Sequence, residues 1–149
     1  MNCEGKHVLV AVGEEVYGIP ILDVETILND PKPVRIPKTP KVMLGVFELR
    51  GKTMAAVDLR IRLDMSASSG DSQHVVVNTP SGAVSLRVDS VRGIVDFEDG
   101  SFSPPSTILG RSDDPFLAGV ARYGDKLVAI LDVEHIVPED LKKKVQAVA

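Results

Sequence analysis

Strand-sized apolar runs alternate with clusters of Gly, Pro, Asn, Asp and Ser along most of the chain. His7 to Val12 is the first such run, Gly13-Glu14-Glu15 turns it, and Val16 to Ile21 returns. Period-two alternation sets Tyr17, Ile19 and Ile21 on one face. Leu22 to Leu28 fits either a strand end or one or two helical turns. Pro31 and Pro33 break any helix there. Val34-Arg35-Ile36 reads as a short extended piece before Pro37 and Pro40, and Lys41 to Leu44 as a single helical turn. The pivot is Gly45 to Arg62, GVFELRGKTMAAVDLRIR, two apolar runs around a polar Gly-containing turn. That pattern predicts a β-hairpin. Gly51 can take positive φ without steric cost, which pushes Arg50 to an exposed tip. Taken alone, the hairpin favours a solvated turn arginine over a recognition group.

Further along, Ser66 to Gln73 is a polar loop. Strands follow at His74–Asn78 and Ala83–Asp89, joined by a turn at Thr79–Gly82. In the second strand Val84, Leu86 and Val88 point inward and Ser85 and Arg87 outward. Val91 to Phe97 continues the pattern. Ser101 to Asp114 is a Ser/Pro-rich loop, and Phe116 to Val133 carries a second hairpin. Pro138, with Glu139 and Asp140 after it, opens a short C-terminal helix bearing Leu141, Val145 and Val148 on one stripe.

The pattern repeats. At an offset of 74, Gly45-Val46 matches Gly119-Val120, Lys52 matches Lys126, Ala55 matches Ala129 and Asp58-Leu59 matches Asp132-Val133. At an offset of 67, His7 to Val10 matches His74 to Val77, and Ile19, Ile21, Val24 and Ile27 match Leu86, Val88, Val91 and Ile94. The chain therefore divides into two similar halves, with a junction near 64–73 inside one domain.

Composition narrows the class. With 22 Val and 9 Ile against six aromatic residues, the chain favours strands over helices. The net charge is −4, and Lys142–Lys144 is the one long basic run, so nucleic-acid binding is not expected. Cys3 is the single cysteine and cannot form an intrachain disulfide. No secretory h-region and no transmembrane-length apolar stretch stands out, which predicts a soluble cytoplasmic protein without direct membrane contact. No His or Cys spacing fits a metal site, and no nucleotide-loop or nucleophile-elbow motif occurs, so neither an enzyme nor a cofactor is expected. Asp58 and Asp132 recur after the two hairpins, which favours hydrogen bonding to the following turn over acid/base work. The residues by themselves reach an all-β interaction module.

The order of motifs reaches further. EEVYGIPILDVETIL, then VRIPKTPKVMLGVFELRGKTMAAVDLRIRL, then SLRVDSVRGIV, then LAGVARYGDKLVAILDV together resemble the CheW family of bacterial chemotaxis coupling proteins. The most specific part is a P-x-x-[I/V]-x-G-V-x-N-L-R-G…D-L-R segment, matched from Pro40 to Arg60. The resemblance implies two packed SH3-like five-stranded β-barrels and no catalytic activity or cofactor. It also implies an adaptor role between the cytoplasmic tip of methyl-accepting chemoreceptors and the regulatory domain of a CheA-type histidine kinase. Carried over by residue, it places receptor contact at Gly45, Glu48, Leu49, Arg50, Gly51 and Lys52, and kinase contact at Val24, Ile27 and Leu28. Glu48 stands where the family has Asn, Ala55 replaces a usual Pro, and Thr26 replaces a frequent Glu. Ser85 and Arg87 replace small or apolar residues. Two alternatives stay open at this point: a scaffold in another chemosensory pathway, and a ligand-binding module using the groove between the barrels.

Overall fold

The computed structural model describes residues 5–63, 65–66, 70–98, 100–104, 116–137 and 141. Eleven strands and two short helices are defined among them. The first half holds β1 (Gly5–Val12), β2 (Glu15–Pro20), a single 3-10 turn at Ile21–Asp23, β3 (Val24–Asn29), β4 (Met43–Leu49), β5 (Lys52–Asp58) and α1 (Leu59–Arg62). The second holds β6 (Gln73–Thr79), β7 (Gly82–Val88), β8 (Ser90–Phe97), β9 (Phe102–Ser103), β10 (Leu117–Tyr123), β11 (Lys126–Leu131) and α2 (Val133–Ile136).

Two sheets result. One has the order β8-β1-β2-β11-β10-β9 and the other β3-β6-β7-β5-β4. The repeat and the sheets divide the chain differently. β3 leaves its own half to pair with β6, and β8 leaves its own to pair with β1. The 64–73 stretch is therefore a junction between repeats and not between sheets, because it joins strands of the same five-stranded sheet. The other sheet has a sixth member, since two residues of the loop read at Ser101–Asp114, Phe102 and Ser103, pair with β10. Residues 105–115 of that loop lie outside the described residues, as does the expected C-terminal helix apart from Leu141, which is fully buried.

Valine-rich alternation builds three apolar layers. The largest is shared by the sheets and takes Val8, Val10, Val12 and Ile19 from one and Val57, Val75, Val77, Val84 and Leu86 from the other. Each such side chain stabilises by about 1.5–3 kcal/mol relative to exposure. The six-stranded sheet holds its own cluster of Phe97, Ala121, Val128 and Ile130, and the five-stranded sheet one of Phe47, Met54, Ala56 and Val76. Both faces of these sheets are thus partly covered. This overturns the outward placement of Ser85, which is fully buried and hydrogen-bonded to His74. Leu22 to Leu28 resolves into a helical turn end followed by a strand. Lys41 and Val42 form a turn closed by Met43 N–H donating to the Pro40 carbonyl at 3.0 Å, in place of the helical turn expected there.

Candidate functional site

The first hairpin pairs Leu49 with Lys52, leaving a two-residue loop of Arg50 and Gly51. Their φ angles are 53° and 80°. Positive φ at both positions belongs to the type I′ turn, whose twist matches that of the strands it joins. The sequence gives a reason for this only at Gly51. Arg50 adopts it at a cost of about 1–2 kcal/mol. Glu48, Arg50, Gly51 and Lys52 are all exposed, whereas Leu49 is half-buried beside the Phe47 cluster. No ion pair or hydrogen bond among the described residues engages Arg50, and Glu48 does not pair with it.

Gly45 is not part of that surface. It is buried, and a Cβ placed on it would meet the Val34 carbonyl oxygen at 2.1 Å. Val34 crosses over it, donating to the Val46 carbonyl at 2.7 Å and accepting from Val46 N–H at 2.9 Å. Gly45 keeps a bulged strand open to this crossing. Its counterpart Gly119 does the same beneath β9, where a Cβ would meet the Phe102 ring at 2.1 Å and the Ser103 oxygen at 2.5 Å.

Val24, Ile27 and Leu28 lie on β3, an edge strand, but they do not share one face. Val24 packs on the shared core and Leu28 on the Phe47 cluster, which leaves Ile27, 41% exposed, as the accessible member. Its repeat partner Ile94 sits on β8, an edge strand of the six-stranded sheet, and is 60% exposed. The sequence pairing of Ile27 with Ile94 held that signal. Two further exposed side chains, Leu22 at 90% and Val34 at 70%, were hidden among apolar runs.

The repeated ionisable residues hold the fold together. Asp58 caps α1 by accepting from Arg60 N–H at 2.9 Å, and Asp132 caps α2 by accepting from Glu134 N–H at 3.0 Å. Burial raises the Asp58 pKa above the usual carboxylate value, against the lowering effect of that amide and of Arg87 and Arg60. His7 and His74 are fully buried, each edge-on to a phenylalanine, Phe97 and Phe47 respectively. Burial lowers both pKa values, that of His74 to about 4. Among the described residues no cluster of three His, Cys, Asp or Glu is placed to hold a metal ion, and no helix is long and apolar enough to cross a membrane.

A body of this kind uses its repeated aspartates and histidines in caps and core contacts and presents a rigid hairpin tip and two strand edges to solvent. Those features define a protein-binding module. The comparisons give that module a family: the family model described as CheW-like domain matches residues 6–140, and the chain belongs to this family. It is 30% identical over 132 residues to the chemotaxis protein CheW of Helicobacter pylori, covering 87% of this chain and 79% of that one. It is 27% identical over 146 residues to CheW of Klebsiella aerogenes, covering 97% of this chain and 88% of that one. Its fold is similar to the crystal structure of the scaffolding protein TtCheW from Thermoanaerobacter tengcongensis, with TM-score 0.82 and 29% identity over 91% of this chain and 93% of the other.

Proposed function

We propose that this protein is a non-enzymatic chemotaxis adaptor, working in the cytoplasm, that couples methyl-accepting chemoreceptors to a CheA-type histidine kinase. Its membership of the CheW-like family across residues 6–140 carries the reading. The relatives are chemotaxis and scaffolding proteins by name. The receptor tip would meet the hairpin end at Glu48, Arg50, Gly51 and Lys52, where a guanidinium stands on a rigid two-residue turn with no partner of its own among the described residues. Leu49 supports that turn from beneath, as Gly45 supports the strand. The kinase regulatory domain would meet the β3 edge at Ile27, with Val24 and Leu28 holding the strand in place.

The test is a reconstitution of the protein with a receptor tip fragment and a kinase regulatory domain. Wild type is expected to bind each at tens of micromolar. Arg50→Ala should weaken receptor binding and leave kinase binding intact, and Ile27→Asp should do the reverse. Binding to neither partner would overturn the proposal.

A further inference from the structure

The relation between the repeats, with β8-β1-β2-β11-β10 matching β3-β6-β7-β5-β4 in order, breaks beside the two short helices. Beside α1, the Asp89 carboxylate accepts from Gly13 N–H at 2.8 Å and from the Arg60 guanidinium at 2.9 Å. Arg60 Nε also donates to the Ser66 carbonyl at 2.6 Å. This knot ties the β1–β2 turn, the β7–β8 joint and α1 together. The offsets of 67 and 74 map Gly13 to Pro80, Asp89 to Leu22 and Arg60 to Glu134. The three groups that meet at the Asp89 carboxylate are thereby undone beside α2: proline has no N–H to give, leucine has no acceptor, and glutamate reverses the charge.

In place of the knot there is an open pocket of about 520 Å³, lined by Pro20, Leu22, Asp23, Pro80, Asp132 and Glu134 among others. Leu22, on its rim, is the most exposed of the large apolar side chains among the described residues. Asp132 is engaged by His135 Nδ1 at 2.9 Å. No ion pair or hydrogen bond among the described residues compensates Asp23 or Glu134. Burial and the Asp132 charge push the Asp23 pKa up, against a smaller lowering effect of His7.

We infer that this pocket docks a basic segment of a partner protein, an arginine entering among Asp23, Asp132 and Glu134 while a neighbouring apolar side chain covers Leu22. The guanidinium would fill the space that Arg60 fills beside α1. None of the hairpin-tip residues, nor Ile27, lines the pocket, so this docking does not depend on the adaptor reading.

The probe is a fluorescein-labelled peptide repeating Leu-Ala-Ala-Arg, with a control carrying Glu for each Arg. Fluorescence anisotropy and amide resonance shifts read binding. The arginine peptide should shift Leu22, Asp23 and Glu134, and the control should not. The double variant Leu22→Asp/Glu134→Arg places the knot's carboxylate–guanidinium pair at the equivalent positions and should weaken binding roughly tenfold or more with its resonance spread intact. Leu22→Ser, a change at a solvent-facing position, should weaken it with no loss of fold. Unchanged binding by these variants, shifts confined to another surface, or no binding would overturn the inference. So would binding that emerges only once Lys142–Lys144 are replaced by Gln, because the chain's own tail would then be the occupant.

Discussion

The β4–β5 and β10–β11 hairpins keep a constant offset in sequence and share a buried glycine beneath a crossing segment, yet their tips differ. The first turns through Arg50 and Gly51, both at positive φ; the second turns through Gly124 and Asp125, with Gly124 at φ 64° and Asp125 outside that region. Where the repeats agree, at Gly45 and Gly119, Asp58 and Asp132, or His7 and His74, the residue serves the fold. Where they differ, Asp89 and Arg60 still serve the fold through the knot beside α1, but no demand of the fold accounts for Arg50, or for Leu22 and Glu134 at the places equivalent to Asp89 and Arg60. Differences between repeats thus point to recognition more sharply than either copy does alone.

The largest break in the comparison is expected at the glycines. Gly45→Ala and Gly119→Ala should each cost about 3 kcal/mol or more in urea unfolding, because a Cβ collides with a crossing segment. Adding Phe102→Ala should partly rescue the second, since the nearest obstruction there is a ring. Val34→Ala should not rescue the first, since there the obstruction is a backbone carbonyl.

The histidines come next. A His74 pKa near 4 in the fold, against about 6.5 unfolded, means the unfolded chain binds the extra proton first as pH falls. Stability should therefore drop between about pH 6.5 and about pH 4, by on the order of 2–3 kcal/mol. Thermal melts across that window check it, and His74→Phe should flatten the drop. His7 acts in the same direction. It lacks the hydroxyl that Ser85 gives His74, because Gly18 holds the equivalent place, and its Nδ1 faces the Gly5 carbonyl at 3.0 Å instead.

A smaller asymmetry is expected at the knot. Arg60→Ala should cost about 1 kcal/mol, while Glu134→Ala should stay within about 0.5 kcal/mol, both read from chemical unfolding. The smallest effect falls at the tip. Arg50→Gly should raise stability by up to about 1 kcal/mol by relieving the left-handed backbone, and Arg50→Ala should stay within about 0.5 kcal/mol. Receptor binding should weaken in both, which separates recognition from folding.

The hairpins, the duplicated strands and the hydrogen bonding of Asp58 and Asp132 to the segment that follows were legible because each rests on local rules: alternation, a glycine turn, a side chain bonding a nearby amide. That those segments are short helices with the aspartates as N-caps was not. Nor was the exchange of β3 and β8, because a strand's pattern records how it is buried and not which neighbour buries it. The burial of Ser85 escaped for the same reason: alternation shows that one face is apolar, and only the fold shows that the other is covered as well. At the site, the sequence located the hairpin tip, but it left Leu22 to Leu28 open between strand and helix, so the β3 edge came only with the fold. It could not tell Gly45 and Leu28 from their exposed neighbours, since a residue's solvent access depends on distant segments such as Val34 crossing overhead.

The strand exchange also means that one sheet can be completed from a shorter length of chain than the other. The five-stranded sheet is drawn entirely from residues 24–88, while its companion needs strands from both ends of the chain. During synthesis β1 and β2 have only one another until β8 emerges, and an isolated two-stranded hairpin is marginal in water. The sheet of β3 to β7 can close first, and until the later strands arrive its inner face of Val57, Val75, Val77, Val84 and Leu86 stands open. A chain halted on the ribosome at that length would carry a half-sandwich with a bare valine surface, the kind of surface a nascent-chain chaperone binds.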